Sequence, residues 1–157
     1  MHGCGIAIVE RNYNPLSCIL EFDGAASGNP GPAGAGAILR SEDGSLLYRF
    51  REGLGYQTNN VAEYRALILG LKQALRKGYR NITVYGDSEL VINQLKGLWN
   101  INNAYLRNLC NEALELRDNF HLFSIFYIPR EYNAEADAQA NRAIFLGDGQ
   151  VQEDCMN

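Results

Sequence analysis

The chain has 157 residues, 46% of them hydrophobic and 20% charged, and carries a formal net charge of −4. This length and composition describe one globular domain that buries roughly 68–70% of its unfolded surface. They exclude a disordered chain, and no apolar run is long enough to cross a bilayer, so no membrane partner is expected.

Cys4, Cys18, Cys110 and Cys155 are far apart with no CxxC pair, and only His2 and His121 are available to join them. A zinc site is not expected from this spacing; idle thiols in a reducing, intracellular compartment are. The opening MHGCGIAIVERN lacks a basic n-region followed by a long apolar core, so it does not read as a secretory signal. It is expected as an N-terminal extension over residues 1–16, ahead of a domain over 17–147 and a C-terminal tail over 148–157.

In chain order, Ser17 to Phe22 is rich in strand formers and ends at Asp23-Gly24. Ala33 to Leu39 and Leu46 to Phe50 follow, separated by the turn-like SEDGS, so the three read as an antiparallel meander. From Val61 onward apolar residues recur at helical spacing through Leu75, with Asn60 as the expected N-cap and Gly78 as the stop. Ile82 to Tyr85 is a short strand running into Gly86-Asp87. Glu89 to Leu95 and Ala104 to Arg117 read as helices, Leu122 to Ile128 as a buried strand and Ala134 to Phe145 as a final helix. This order, βββαβααβα, fits an α/β fold: a mixed five-strand sheet with helices on both faces and strands one, four and five parallel. Ligands in such sheets collect outside the carboxyl ends of the parallel strands.

Four acidic residues sit in four separate polar motifs: Asp23 in DGAASGNPG, Glu63 in TNNVAEY, Asp87 in YGDSELV and Asp137 in REYNAEADAQAN. Each alone has an ordinary structural reading. Asp23-Gly24 is a common turn pair, Glu63 stands three residues after Asn60 as in a capping box, Asp87-Ser88 suits a helix start, and Asp137 suits the dipole of the last helix. Together, four carboxylates from four elements would repel one another unless cations sat between them, which points to a hard divalent metal site and to phosphoryl chemistry. Two divalent cations there would bring the formal charge to zero and make the cleft attractive to phosphate, which weakens the objection that an acidic chain raises against nucleic acid. The glycines of DGAASGNPG lead into another strand and no GK[ST] follows, so neither a dinucleotide fingerprint nor a phosphate loop fits.

The ordered motifs DGAASGNPG, TNNVAEYRAL, GDSELV and REYNAEADAQAN resemble those of ribonuclease H of type 1, over about Cys18 to Ile144. The resemblance is to the compact catalytic domain without a hybrid-binding module, and it implies a sheet of order 3-2-1-4-5. It implies that Asp23, Glu63, Asp87 and Asp137 hold two Mg²⁺ ions, with Mn²⁺ as a substitute, beside the scissile phosphate of the RNA strand in an RNA–DNA hybrid. One ion would activate a water for in-line attack and the other would stabilise the leaving 3′ oxygen, giving 5′-phosphate and 3′-hydroxyl ends. It further implies that Gly24, Ala25 and Ala26, with Asn29, Asn59, Asn60 and Glu89, line the RNA side and read the 2′-hydroxyl. Thr58 and Asn103 would bind a phosphate of the DNA strand, and Gln94 would reach the minor groove; Thr58 reads equally as a helix-start hydroxyl, and an ordinary exposed helical glutamine is the plainer role for Gln94. Relatives are usually monomeric, and a monomer is the expectation here.

Two features depart from the family pattern. The loop IPREYNAEAD is short and has no histidine where many relatives carry one, which leaves Glu131 or Glu135 as substitutes, though a surface salt bridge is the plainer role for either. The segment LKGLWNINNAYLRN offers only Lys96 and Arg107 as basic residues, so weaker, salt-dependent hybrid binding is expected. Packing at a helix junction is the plainer role for Trp99 than stacking on a deoxyribose. Two rival readings share the motifs: a nucleic-acid-binding module that has lost turnover, and another nuclease of the same superfold, such as an exonuclease or a resolvase.

Overall fold

Alternation along the first strand sets the architecture. In β1 (Ser17–Ala26), Cys18, Leu20 and Phe22 are buried on one face while Ser17, Ile19 and Glu21 are half-buried, the period of a pleated strand. The structure, a computed structural model, describes residues 16–156. β1 pairs antiparallel with β2 (Gly31–Ser41), which pairs antiparallel with β3 (Leu47–Gln57), completing the expected meander. β4 (Asn81–Gly86) and β5 (Leu122–Tyr127) extend the other side of β1 in parallel. The strand order is β5-β4-β1-β2-β3-β6, the expected 3-2-1-4-5 arrangement with a sixth strand added.

That sixth strand is a correction to the five-strand expectation. β6 (Val151–Met156) comes from the stretch read as a tail, and it pairs antiparallel with β3. Its own pattern is mostly exposed, so nothing in its local hydrophobicity announces a strand. Partners distant in sequence hold it. The buried Arg51 of β3 bonds Asp154 Oδ2 at 3.0 Å and donates to Gln152 Oε1 at 3.2 Å. Lys77 adds an ion pair to Glu153 at 2.7 Å. Cys155 is disulfide-bonded, which corrects the expectation of four idle thiols, whereas Cys18 and Cys110 are free and buried. Residues 1–15 of the expected extension lie outside the described residues.

Helices cover both faces. α1 (Asn59–Arg76) packs on the face that carries Leu20 and Phe22, and it approaches β1 so closely that a Cβ on Gly70 would meet Leu20 Cδ1 at 2.5 Å. α2 (Glu89–Leu95) and α3 (Ala104–Arg117) match their expected bounds and lie on the same side as α1. α4 (Ala134–Ala143) crosses the opposite face, seated directly on the backbone of β2. A side chain at Gly34 or Gly36 would come within 2.4 Å of the carbonyl oxygens of Ala140 and Ala136 respectively.

Two further expectations are revised. β5 is an edge strand in which only Ile125 is buried, because among the described residues no strand pairs with its outer side. The N-cap of α1 is Thr58, whose hydroxyl accepts from Val61 N at 3.3 Å; the helix begins two residues before the apolar pattern does, so Asn60 lies inside it.

Candidate active site

The parallel register Phe22↔Gly86 brings the carboxyl ends of β1 and β4 level, so Asp23 and Asp87 emerge side by side. Glu63 reaches them from the first turns of α1 on one face of the sheet, and Asp137 from the first turn of α4 on the other. Carboxylate oxygens of Asp23, Glu63 and Asp87 all lie within 4.8 Å of one another. Asp137 stands close enough to Asp23 that its carboxylate raises the Asp23 pKa.

Glu63 has no part in a capping box. It is 7% exposed, and its Oε1 accepts from Gly24 N at 3.0 Å. That contact requires α1 to come against the backbone of β1, and Gly24 permits it: a Cβ there would sit 2.2 Å from the Ala62 carbonyl carbon. One glycine thus allows a helix to present a carboxylate to a strand end.

Burial pushes the Asp23 carboxyl far above the usual range, and the charges of Glu63, Asp87 and Asp137 push it further. Glu63 is raised too, first by burial and then by Asp87, with the Gly24 amide and Arg130 opposing. A cluster of this kind holds protons when it holds no cation. The all-carboxylate donor set is hard, with no histidine or cysteine in it, and so fits a divalent cation bound through oxygen better than zinc.

The other residues expected to bind substrate fall into two groups. Gly24, Ala25 and Ala26 form the end of β1 beside the cluster. Asn29 Oδ1 accepts from Asn59 N at 3.0 Å, which joins the β1–β2 connection to the start of α1, with Thr58, Asn59 and Asn60 next to one another there. Glu89 is exposed at the start of α2. Gln94 is otherwise placed. It is 8% exposed, and its amide is committed on both sides, accepting from Tyr64 Oη at 2.7 Å and donating to Asn100 O at 3.1 Å. Gln94 therefore joins α1 to the α2–α3 connection. Asn103 is the N-cap of α3, with its Oδ1 accepting from Tyr105 N and Leu106 N.

Glu135 forms an ion pair with Arg40, the plainer of the roles expected for it. Trp99 is exposed in the α2–α3 connection and takes no part in the core. Asn133, at the start of α4, went unnoticed in the sequence. It is fully buried, and its Nδ2 donates to Phe22 O at 2.9 Å and to Asp87 Oδ1 at 3.4 Å. The only local signal was an asparagine four residues before an aspartate, which reads as an ordinary helix cap.

Residues 21–143 match the model of the reverse transcriptase-like family. The chain is 46% identical to a ribonuclease HI of Halobacterium salinarum over 123 residues, which are 78% of this chain and 62% of that curated protein's length. The crystal structure of ribonuclease H1 from the same archaeon gives a TM-score of 0.79 at 44% identity, covering 82% of this chain and 97% of that one. A ribonuclease H1 solved in complex with an RNA/DNA hybrid gives 0.75 at 35% identity, over 81% of this chain and 96% of that one. With the four motif carboxylates gathered at one end of the matching sheet, the chain belongs to the type 1 ribonuclease H family.

Proposed function

We propose that this protein is an endoribonuclease that cuts the RNA strand of RNA–DNA hybrids, leaving 5′-phosphate and 3′-hydroxyl ends. The observation that carries this reading is the convergence of Asp23, Glu63 and Asp87 within 4.8 Å, with Asp137 close enough to raise the Asp23 pKa. A similar chain solved with an RNA/DNA hybrid supports the substrate class. Bound divalent ions, Mg²⁺ in the first instance and two in number, would supply the positive charge that the cluster lacks, activate water and stabilise the leaving oxygen.

The chain's own part is to hold four carboxylates from four elements in one place and to present a sugar-reading surface beside them. Glu63 is oriented by the Gly24 amide. Asn29 ties the β1–β2 connection to Asn59 at the start of the helix that carries Glu63, which offers main-chain and amide groups there without adding charge. Such groups suit a 2′-hydroxyl, which is both donor and acceptor. Hybrids of this kind arise in nucleic-acid synthesis, and an intracellular, monomeric enzyme is part of the same reading.

The test is cleavage of internally labelled RNA–DNA hybrid, with RNA–RNA and DNA–DNA duplexes as controls, in Mg²⁺, in Mn²⁺ and in chelator. Metal-dependent internal cuts confined to the RNA strand are expected. Asp23→Asn and Asp87→Asn should each remove cleavage while leaving the protein folded, since each deletes a charged ligand and little volume. Undiminished turnover in either variant at matched purity would refute the assignment.

A further inference from the structure

Asn133 stands where a helix cap would, yet its side chain makes no capping hydrogen bond. Both Nδ2 hydrogens are spent instead on oxygens of other elements, Phe22 O at 2.9 Å and Asp87 Oδ1 at 3.4 Å. The orientation of the amide is fixed by this environment, because turning it over would set Oδ1 against two acceptors. Its Oδ1 is then left buried with no hydrogen-bond partner among the described residues. An unsatisfied buried acceptor costs about 1–3 kcal/mol, and an apolar residue of similar shape would avoid that cost. The fold carries it at a point that touches three of the four carboxylate-bearing elements. Phe22 directly precedes Asp23, Asp87 is bonded directly, and Asn133 O accepts from Asp137 N at 3.0 Å.

We propose that Asn133 is a positioning residue for the metal site, a neutral clamp that fixes Asp87 and the first turn of α4 against the end of β1. Neutrality is the point of the residue type. A lysine or arginine could make the same bonds, but its charge would satisfy the carboxylates in place of a cation. An amide donates to Asp87 and leaves the cluster's negative charge for the metal. The inference rests on the metal-dependent nuclease reading, and partners of this kind typically hold metal affinity up by 10–100-fold.

Asn133→Leu removes the amide at similar volume, whereas Asn133→Ala removes the amide and the volume together. The experiment is calorimetric titration of each folded variant with Mn²⁺ in the absence of substrate, alongside kcat and KM on hybrid across a metal series. Mn²⁺ binding at least tenfold weaker than in the unmodified chain is expected for both variants. The metal midpoint for cleavage should move by the same factor, with KM for hybrid unchanged at saturating metal. Mn²⁺ affinity within twofold of the unmodified chain in either folded variant would overturn the proposal. So would failure of both variants to fold, which would make Asn133 a structural residue only. An unmodified chain that neither binds Mn²⁺ nor cuts hybrid would instead defeat the nuclease reading itself.

Discussion

At the scale of the residue, Asp23 shows how a site can be assembled at a cost to the fold that carries it. It is 3% exposed, and both burial and its three acidic neighbours raise its pKa, with Glu63 raised beside it. A carboxyl raised in the folded state contributes stability that is fully present below its unfolded value near 4 and is lost as pH rises toward the folded value. In chelator, the protein should therefore lose stability between about pH 5 and pH 8. Asp23→Asn should melt higher than the parent at pH 8, by about 2–4 °C for each 1 kcal/mol of strain relieved in a chain of this size. Thermal melts at the two pH values check this; a variant that melts lower at pH 8 would refute it. The same substitution is expected to abolish cleavage, so stability and function pull in opposite directions at this position.

At the scale of the element, α4 and β6 are linked through one buried guanidinium. Arg51 Nη1 donates to Gln139 Oε1 on α4 at 2.6 Å and bonds Asp154 on β6 at 3.0 Å. Gln139 lies two residues from Asp137, so the last strand braces the helix that carries a carboxylate of the site. Arg51→Ala should cost about 2–3 kcal/mol, the loss of hydrogen bonds to a charged group, seen as a lower urea midpoint. A midpoint unchanged from the parent would mean that β6 holds its place without the Arg51 guanidinium. The helices were legible in the sequence because 3.6-residue periodicity is a local property: α2 and α3 match their expected bounds. β6 was not legible. A strand exposed on most of its length has no inward pattern of its own, and the residues that hold it, Arg51 and Lys77, stand 103 and 76 positions before their partners Asp154 and Glu153, beyond any local window.

At the scale of the whole molecule, four negative charges gathered at one sheet end should make metal binding visible as stability. A ligand at 100 times its dissociation constant stabilises by about 2.7 kcal/mol, or roughly 5–10 °C here. Saturating Mg²⁺ at pH 8 should raise the melting temperature by that amount, and Asp23→Asn should lose most of the rise. A melting temperature indifferent to Mg²⁺ and Mn²⁺ would count against the carboxylate cluster as a cation site.

The sequence by itself determined the carboxylates and the order of elements that carries them. Charge, glycine turns and periodicity are written in short segments, and four motifs in order are more specific than any one. Only the tertiary structure decided what each residue does once packed. It turned Gln94 inward to Tyr64, gave β3 a sixth strand as neighbour and set Asn133 between Phe22 O and Asp87. Each of these depends on groups distant in the chain arriving within hydrogen-bond reach, and burial, which fixes both partner and protonation, exists only after they have.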